Sequence, residues 1–234
     1  MIDKDINQKS NNHTIKLSEE KLQKELSRLE AMKEYEHKFD GNIIAGIDEA
    51  GRGPLFGPVV AGCVVLDLSK NILYLNDSKK LTEKKRDVIY NEIKEKAFAY
   101  GIGIVDNNVI DKINILEATH LAMKEAFDNC DKMYFDKYNK HISLLLVDAL
   151  HIKNIDTKQV AIIHGDALSV SIAAASIIAK VTRDNMIIDY DKKFPQYGLA
   201  KHKGYGTKQH IEALKKYGAT PLHRKTFITK FTHE

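Results

Sequence analysis

The chain has 234 residues, of which 43% are hydrophobic and 29% charged; that suffices for one sizeable core with an appendage and argues against a fibrous or disordered protein. No apolar run approaches the roughly 20 residues of a membrane span, and the polar start MIDKDINQKSNNH lacks the apolar stretch of a signal peptide, so a cytoplasmic protein without membrane association is expected. The net charge of +4 is uneven: residues 1–40 carry eight Lys/Arg against nine Asp/Glu, whereas residues 201–234 carry eight against two, an excess that suits a polyanion such as nucleic acid but also a plain solvated tail.

Residues 1–16 read as disordered. Over 18–39 a helix is predicted, with Leu22, Leu26, Leu29 and Met32 at three- and four-residue spacing and Glu19 and Glu20 in the first turn. This N-terminal extension, 1–40, is expected to dock on the main domain rather than on a partner. Strands are predicted at 42–47, 58–66, 100–105, 141–147 and 159–164, and helices at 84–100, 109–132, 169–193 and 207–217. The small residues Ala173, Ala174, Ala175 and Ser176 permit a helix to lie close on a sheet. The order predicts an α/β domain over 41–234 with a mixed sheet and a basic, helical C-terminal region. Its later strands are apolar on both faces and should be buried between helix layers.

Asp48, Glu49, Asp148 and Asp166 share one context: each ends an apolar run or follows it closely. Sites in open α/β sheets gather at strand ends, so four carboxylates would converge if these ends are neighbours. Any one of them alone reads as a turn former; an Asp-Glu pair after an apolar run has no such rationale. Clustered carboxylates repel one another, and hard divalent cations, Mg²⁺ or Mn²⁺ rather than Zn²⁺, resolve the conflict. Two such ions can drive phosphodiester cleavage. The histidines show no HExxH spacing, so His202, His210 and His223 read as phosphate or structural contacts. Cys63, in an apolar strand, reads as core; neither it nor Cys130 has metal spacing, and a reduced compartment fits both. After the acids comes Gly51-Arg52-Gly53-Pro54-Leu55-Phe56-Gly57-Pro58, whose backbone amides could cradle a phosphate or hydroxyl. It is not a P-loop, because it leads into a strand; standing alone it would read equally well as a tight turn.

These segments together resemble bacterial ribonuclease HII: GIDEAGRGPLFGPVVAG (46–62), NDSKKL (76–81), NILEATHLAM (114–123), LLVDAL (145–150), HGDALSVSIAAASIIAKVTRD (164–184), FPQYGLAKHKGYGT (194–207) and YGATPLHRKTF (217–227). They run in the family's order over nearly the whole main domain, and Gly-Arg-Gly favours this type over ribonuclease HIII. The resemblance implies a ribonuclease H-like fold with a five-stranded mixed sheet. It also implies Mg²⁺- or Mn²⁺-dependent cleavage of RNA in RNA–DNA hybrids, with incision 5′ to single ribonucleotides in duplex DNA, leaving 3′-hydroxyl and 5′-phosphate ends. Carried over by position, Asp48, Glu49, Asp148 and Asp166 would bind metal and catalyse. Gly51, Arg52 and Gly53 would read the 2′-hydroxyl, and Tyr205 would pack on the sugar beyond the junction. Lys79, Lys80, Lys180 and Arg183 would meet phosphates, although Lys180 and Arg183 could instead pair with Asp184. Many members have Gly where Ala149 stands, which predicts a slightly different turn here. A monomer acting on nucleic acid is expected. A non-catalytic nucleic-acid-binding module would need the basic C-terminal region but not the acids; a phosphatase or nucleotide hydrolase would not need the Lys/Arg/Tyr surface of 201–227.

Overall fold

A computed structural model describes residues 19–232; the expectation of disorder over 1–16 lies outside them. The chain runs α1 (Glu19–Ala31), α2 (Glu34–Lys38), β1 (Ile44–Ala50), β2 (Val59–Val65), a 3-10 turn (Ser78–Lys80), α3 (Glu83–Lys96) and β3 (Ala99–Val105). It continues through α4 (Asn107–Ile113), α5 (Ile115–Tyr138), β4 (Leu144–Asp148), β5 (Lys158–Ile162), α6 (Gly165–Leu168) and α7 (Val170–Lys193). After a second 3-10 turn (Pro195–Tyr197) come α8 (Leu199–His202), α9 (Lys208–Tyr217) and α10 (Lys225–Thr232). Among the described residues no helix is long and apolar enough to cross a membrane.

The five strands form one mixed sheet in the order β3-β2-β1-β4-β5. β1–β2 and β2–β3 are antiparallel; β1–β4 and β4–β5 are parallel. Side chains alternate across the sheet. Ala45, Ile47, Val59, Ala61, Cys63, Leu145 and Val147 share a core with Ala118, Ala122, Ala126 and Cys130 of α5. On the opposite face Val64 packs with Ala173, Ala174 and Ile177 of α7, and Leu144 and Leu146 with Ile172. That face is flat where α7 crosses it: a Cβ on Gly46 would collide with the Ser171 backbone, and one on Gly62 with the Ala175 carbonyl. The close approach expected of the Ala-Ala-Ala-Ser stretch is therefore real, and it needs glycine on the strand side.

Several boundaries differ from expectation. The N-terminal helix breaks at Met32 and Lys33 into α1 and α2. It docks on the body: Leu29 and Met32 join the core cluster containing Val64 and Val170. The helix predicted at 109–132 is split by Asn114, at φ +69, whose side chain caps the amides of Leu116 and Glu117. β5 is not buried as expected. It is the sheet's outer strand, and Ile163, just beyond it, is 73% exposed. α10 was not anticipated; a single short turn-rich segment leaves little periodicity to read.

Candidate active site

β1 does not stop before the acids. It runs through Asp48 and Glu49 to Ala50, because β2 offers partners that far, with Asp48 opposite Gly62 and Glu49 opposite Ala61. On the other side β1 pairs with β4 up to Ile47 and Val147, so Asp48 and Asp148 are the next residues along neighbouring strands. Asp166 comes from the first turn of α6, not from a strand end. The Gly165 amide donates to Asp148 Oδ1 at 2.8 Å, which draws the start of α6 onto the end of β4. All four acids are therefore brought together.

Their ionisation reports the crowding. Burial pushes the Asp48 carboxyl well above the usual carboxylate range, and the charges of Glu49 and Asp148 add to it; a hydrogen bond from Ser176 and the Glu49 amide, at 2.7 Å, pull the other way. Burial also raises Glu49, against the pull of Arg52, whose guanidinium lies 3.5 Å away. Burial raises Asp166, helped by Asp77 and Asp148 and opposed by Lys79. Lys79 Nζ lies 3.8 Å from Asp166. Burial lowers the Lys79 pKa, but the charges of Asp77, Asp166, Asp48 and Asp148 outweigh that and raise it.

The loop after the acids is held from beneath by two buried arginines. Arg224, fully buried, donates from Nη2 to the Gly51 carbonyl (2.6 Å), from Nη1 to that of Arg52 (2.8 Å) and from Nε to that of Gly57 (2.9 Å). Arg183 donates to the carbonyls of Pro58 (2.9 Å), Phe56 (3.0 Å) and Lys203 (3.0 Å). Across a trans peptide the carbonyl and the following N–H point in opposite directions. With the Gly51 and Arg52 carbonyls turned inward, the amides of Arg52 and Gly53 turn outward. Gly51 sits at φ +98, and a Cβ there would collide with the Arg183 side chain, so glycine is required on both conformational and steric grounds. Tyr205, 45% exposed, stands over the loop's outer side: its Cε1 would be 3.5 Å from a Cβ on Gly53.

Arg183 corrects one expectation. It is 1% exposed with all three guanidinium nitrogens bound to backbone carbonyls, so it offers no face to a phosphate; it supports the loop. Burial lowers it to about 10 and Arg224 to about 9, so both keep their charge at neutral pH. Lys180 forms the alternative ion pair with Asp184, at 2.8 Å. Lys79 and Lys80 are exposed on the 3-10 turn, with Lys79 beside the acids. Three residues of the site were missed by sequence reasoning. Ser176 bonds Asp48 and, at 3.0 Å, Ser78. Asp77 shares a hydrogen bond with Asp166. Arg224 holds the loop. Each lies inside a quoted segment, yet only the packing tells which way its side chain points.

The donor set is entirely hard carboxylate oxygen, and burial disfavours the ionised forms of Asp48, Glu49 and Asp166 by more than Arg52 and Lys79 offset; a divalent cation of the Mg²⁺ or Mn²⁺ kind fits both facts. Among the described residues no three His, Cys, Asp or Glu side chains are already spaced for a metal, so a cation would have to draw the carboxylates together.

Comparison with known proteins identifies the family and the fold. The family model described as Ribonuclease HII matches residues 45–230. A ribonuclease HII of Caldanaerobacter subterraneus is 55% identical over 212 residues, covering 89% of this chain and 85% of that one. The ribonuclease H2 structure from Pyrococcus horikoshii superposes with a TM-score of 0.62 at 27% identity, covering 82% of this chain and 99% of that one. The structure of Bst ribonuclease HIII in complex with Mn²⁺ shares the fold, with a TM-score of 0.61 at 20% identity over 77% of this chain and 63% of that one. The mixed five-stranded sheet is thus a ribonuclease H-like fold, and the chain belongs to the ribonuclease HII family of metal-dependent endoribonucleases that act on RNA–DNA hybrids.

Proposed function

We propose that this chain incises duplex DNA on the 5′ side of a single embedded ribonucleotide, as well as cutting the RNA strand of hybrids, with Asp48, Glu49, Asp148 and Asp166 holding two divalent ions. The observation that carries this reading is the adjacency of two features. The outward amides of Arg52 and Gly53, with the Tyr205 ring beside them, directly follow the acids in the chain. A 2′-hydroxyl can both donate and accept, and it is the group that separates RNA from DNA. The loop's backbone would bind it and place the neighbouring phosphate at the carboxylates.

The ions would supply activation of the attacking water and neutralisation of charge on the leaving oxygen. The protein's own residues do the rest. The four carboxylates would hold the ions. Lys79 and Lys80 would meet the substrate's phosphates. Tyr205 would pack on the sugar after the ribonucleotide, where a second 2′-hydroxyl fits badly, which gives junction preference a steric cause. The 2′-hydroxyl serves recognition and does not attack, so the products carry 3′-hydroxyl and 5′-phosphate ends.

The test is incubation with Mg²⁺ or Mn²⁺ and a duplex bearing one ribonucleotide, beside an all-DNA duplex. Cleavage at the ribonucleotide alone is expected, and Asp48→Asn should lower turnover by about a hundredfold or more, on the scale of losing a group that acts mainly in the transition state. Near-normal turnover in a folded Asp48→Asn protein would remove Asp48 from the chemistry.

A further inference from the structure

The segment 220–224 lies outside the acids, yet it is bonded directly to the 51–57 loop and, through His210, to Tyr205. Its backbone is stitched to the loop: the Arg224 amide donates to the Leu55 carbonyl and the Gly57 amide to the Leu222 carbonyl, both at 2.9 Å, and Phe56 and His223 form a β-bridge. Arg224 then reaches under the loop to the carbonyls of Gly51 and Arg52. The other arm runs through two buried histidines. The His223 and His210 Nε2 atoms are 3.1 Å apart. His223 Nδ1 lies 2.9 Å from the Thr220 amide, and His210 Nδ1 lies 2.9 Å from the Tyr205 carbonyl. From below, Asn107 of α4 donates to the carbonyls of Pro221 (2.9 Å) and His223 (3.3 Å).

The tautomers follow from what each end can do. An amide N–H only donates, so His223 Nδ1 accepts and its proton sits on Nε2. A carbonyl only accepts, so His210 Nδ1 carries the proton and its Nε2 accepts. Both ends are satisfied only when both rings are neutral and the proton between them belongs to His223. Burial, with His210 beside it, lowers His223 to about 4, and burial also lowers His210, which agrees with that assignment.

We infer that residues 220–224 are a clamp that sets the distance between the 51–53 loop and Tyr205, and thereby the preference for a ribonucleotide–deoxyribonucleotide junction over a uniform hybrid. This rests on the reading that the loop and Tyr205 contact successive sugars. His210, His223 and Arg224 are positioning residues: each acts through another group. Arg224 suits the task because a planar guanidinium can hold three carbonyls in fixed directions, which a lysine cannot.

The test measures kcat/KM of the full chain on the single-ribonucleotide duplex divided by that on a uniform RNA–DNA hybrid. His223→Asn, which removes the donor to His210, and Arg224→Lys should each lower the ratio about tenfold. His223→Gln, which keeps a donor near the Nε2 position, should stay within about twofold of the parent. Because one rigid unit is being broken, the double variant should lose no more than the larger single loss. A ratio kept in folded His223→Asn but lost in Tyr205→Ala overturns the clamp, as does an equal fall on both substrates or full additivity in the double variant. A ratio unmoved in Tyr205→Ala overturns the junction reading beneath it. Nitrogen-15 NMR of the unaltered protein tests the clamp without any variant: protons on His223 Nε2 and His210 Nδ1 are expected, and the opposite tautomers would overturn it.

Discussion

Ala149 follows Asp148 directly and adopts φ +54, the left-handed conformation that the sequence argued against. The backbone takes a positive φ there despite the methyl group. It is held by a bond from the Ala149 amide to the Ile162 carbonyl at 3.0 Å and by the Gly165 amide on Asp148, so the residue takes the strain. A left-handed alanine costs on the order of 1–2 kcal/mol, partly cancelled in Ala149→Gly by the greater freedom of an unfolded glycine. That variant should gain up to about 1 kcal/mol in a denaturant melt, with cleavage unimpaired; a loss of stability would mean the alanine methyl packs usefully. The identities of the acids and of Gly51 were legible from type and spacing. The direction of Arg183 was not, because whether a guanidinium meets solvent or three carbonyls depends on what surrounds it.

At the level of elements, the N-terminal helices are bound to the catalytic body by more than apolar contact. The Val170 amide donates to the Met32 carbonyl at 3.1 Å. Glu36, 1% exposed, accepts from the Ser169 hydroxyl at 2.6 Å and the Ser171 amide at 3.0 Å. Ser169 is itself the N-cap of α7, so α2 completes the cap of the helix that carries Ser176 to Asp48. A carboxylate near a helix N-terminus also meets the positive end of its dipole. Glu36→Ala should therefore cost about 1–3 kcal/mol, the range for leaving buried donors unpaired, read by urea denaturation. Glu36→Gln, which keeps an acceptor, should cost less; equal costs would show that charge rather than the bonds matters. The amphipathic spacing of Leu29 and Met32 marked this helix as having a buried face, but no local pattern named α7 as its partner. α10 was hidden for a related reason: its first amides are capped by Asp111 of α4, with the Lys225 amide on Oδ2 at 2.8 Å and the Thr226 amide on Oδ1 at 3.0 Å, from more than a hundred residues away.

For the molecule as a whole, stability should depend on pH through two opposed groups. Unfolded histidine takes up its proton near 6.5, whereas burial holds His223 neutral down to about 4. Between those values the unfolded chain binds more protons, so this contribution is complete above about 6.5 and is lost as pH falls toward 4. His202 stacks on His210, Tyr197 lies edge-on to His210 and tilted against His223, and Phe56 lies edge-on to His223, so both imidazoles are packed among other rings. The raised carboxylates of Asp48, Glu49 and Asp166 act in the opposite sense and favour the folded state as pH falls. The difference between the parent and His223→Gln separates the two. In chelator, the Tm advantage of the parent should shrink as pH drops from 7 to 5, and an advantage constant over that range would deny that His223 is buried neutral. The sequence by itself determined the α/β order, the buried face of the N-terminal helix, and which acids close apolar runs with a glycine loop beside the first pair, because residue type and period-2 or 3.6 spacing are local properties. Only the tertiary structure decided that β4 would lie against β1 and bring Asp148 beside Asp48, that α6 rather than a strand end would deliver Asp166, and that Arg224 and the His210–His223 pair would join the loop to Tyr205. Those depend on the register and packing of segments far apart in the chain, which no local pattern encodes.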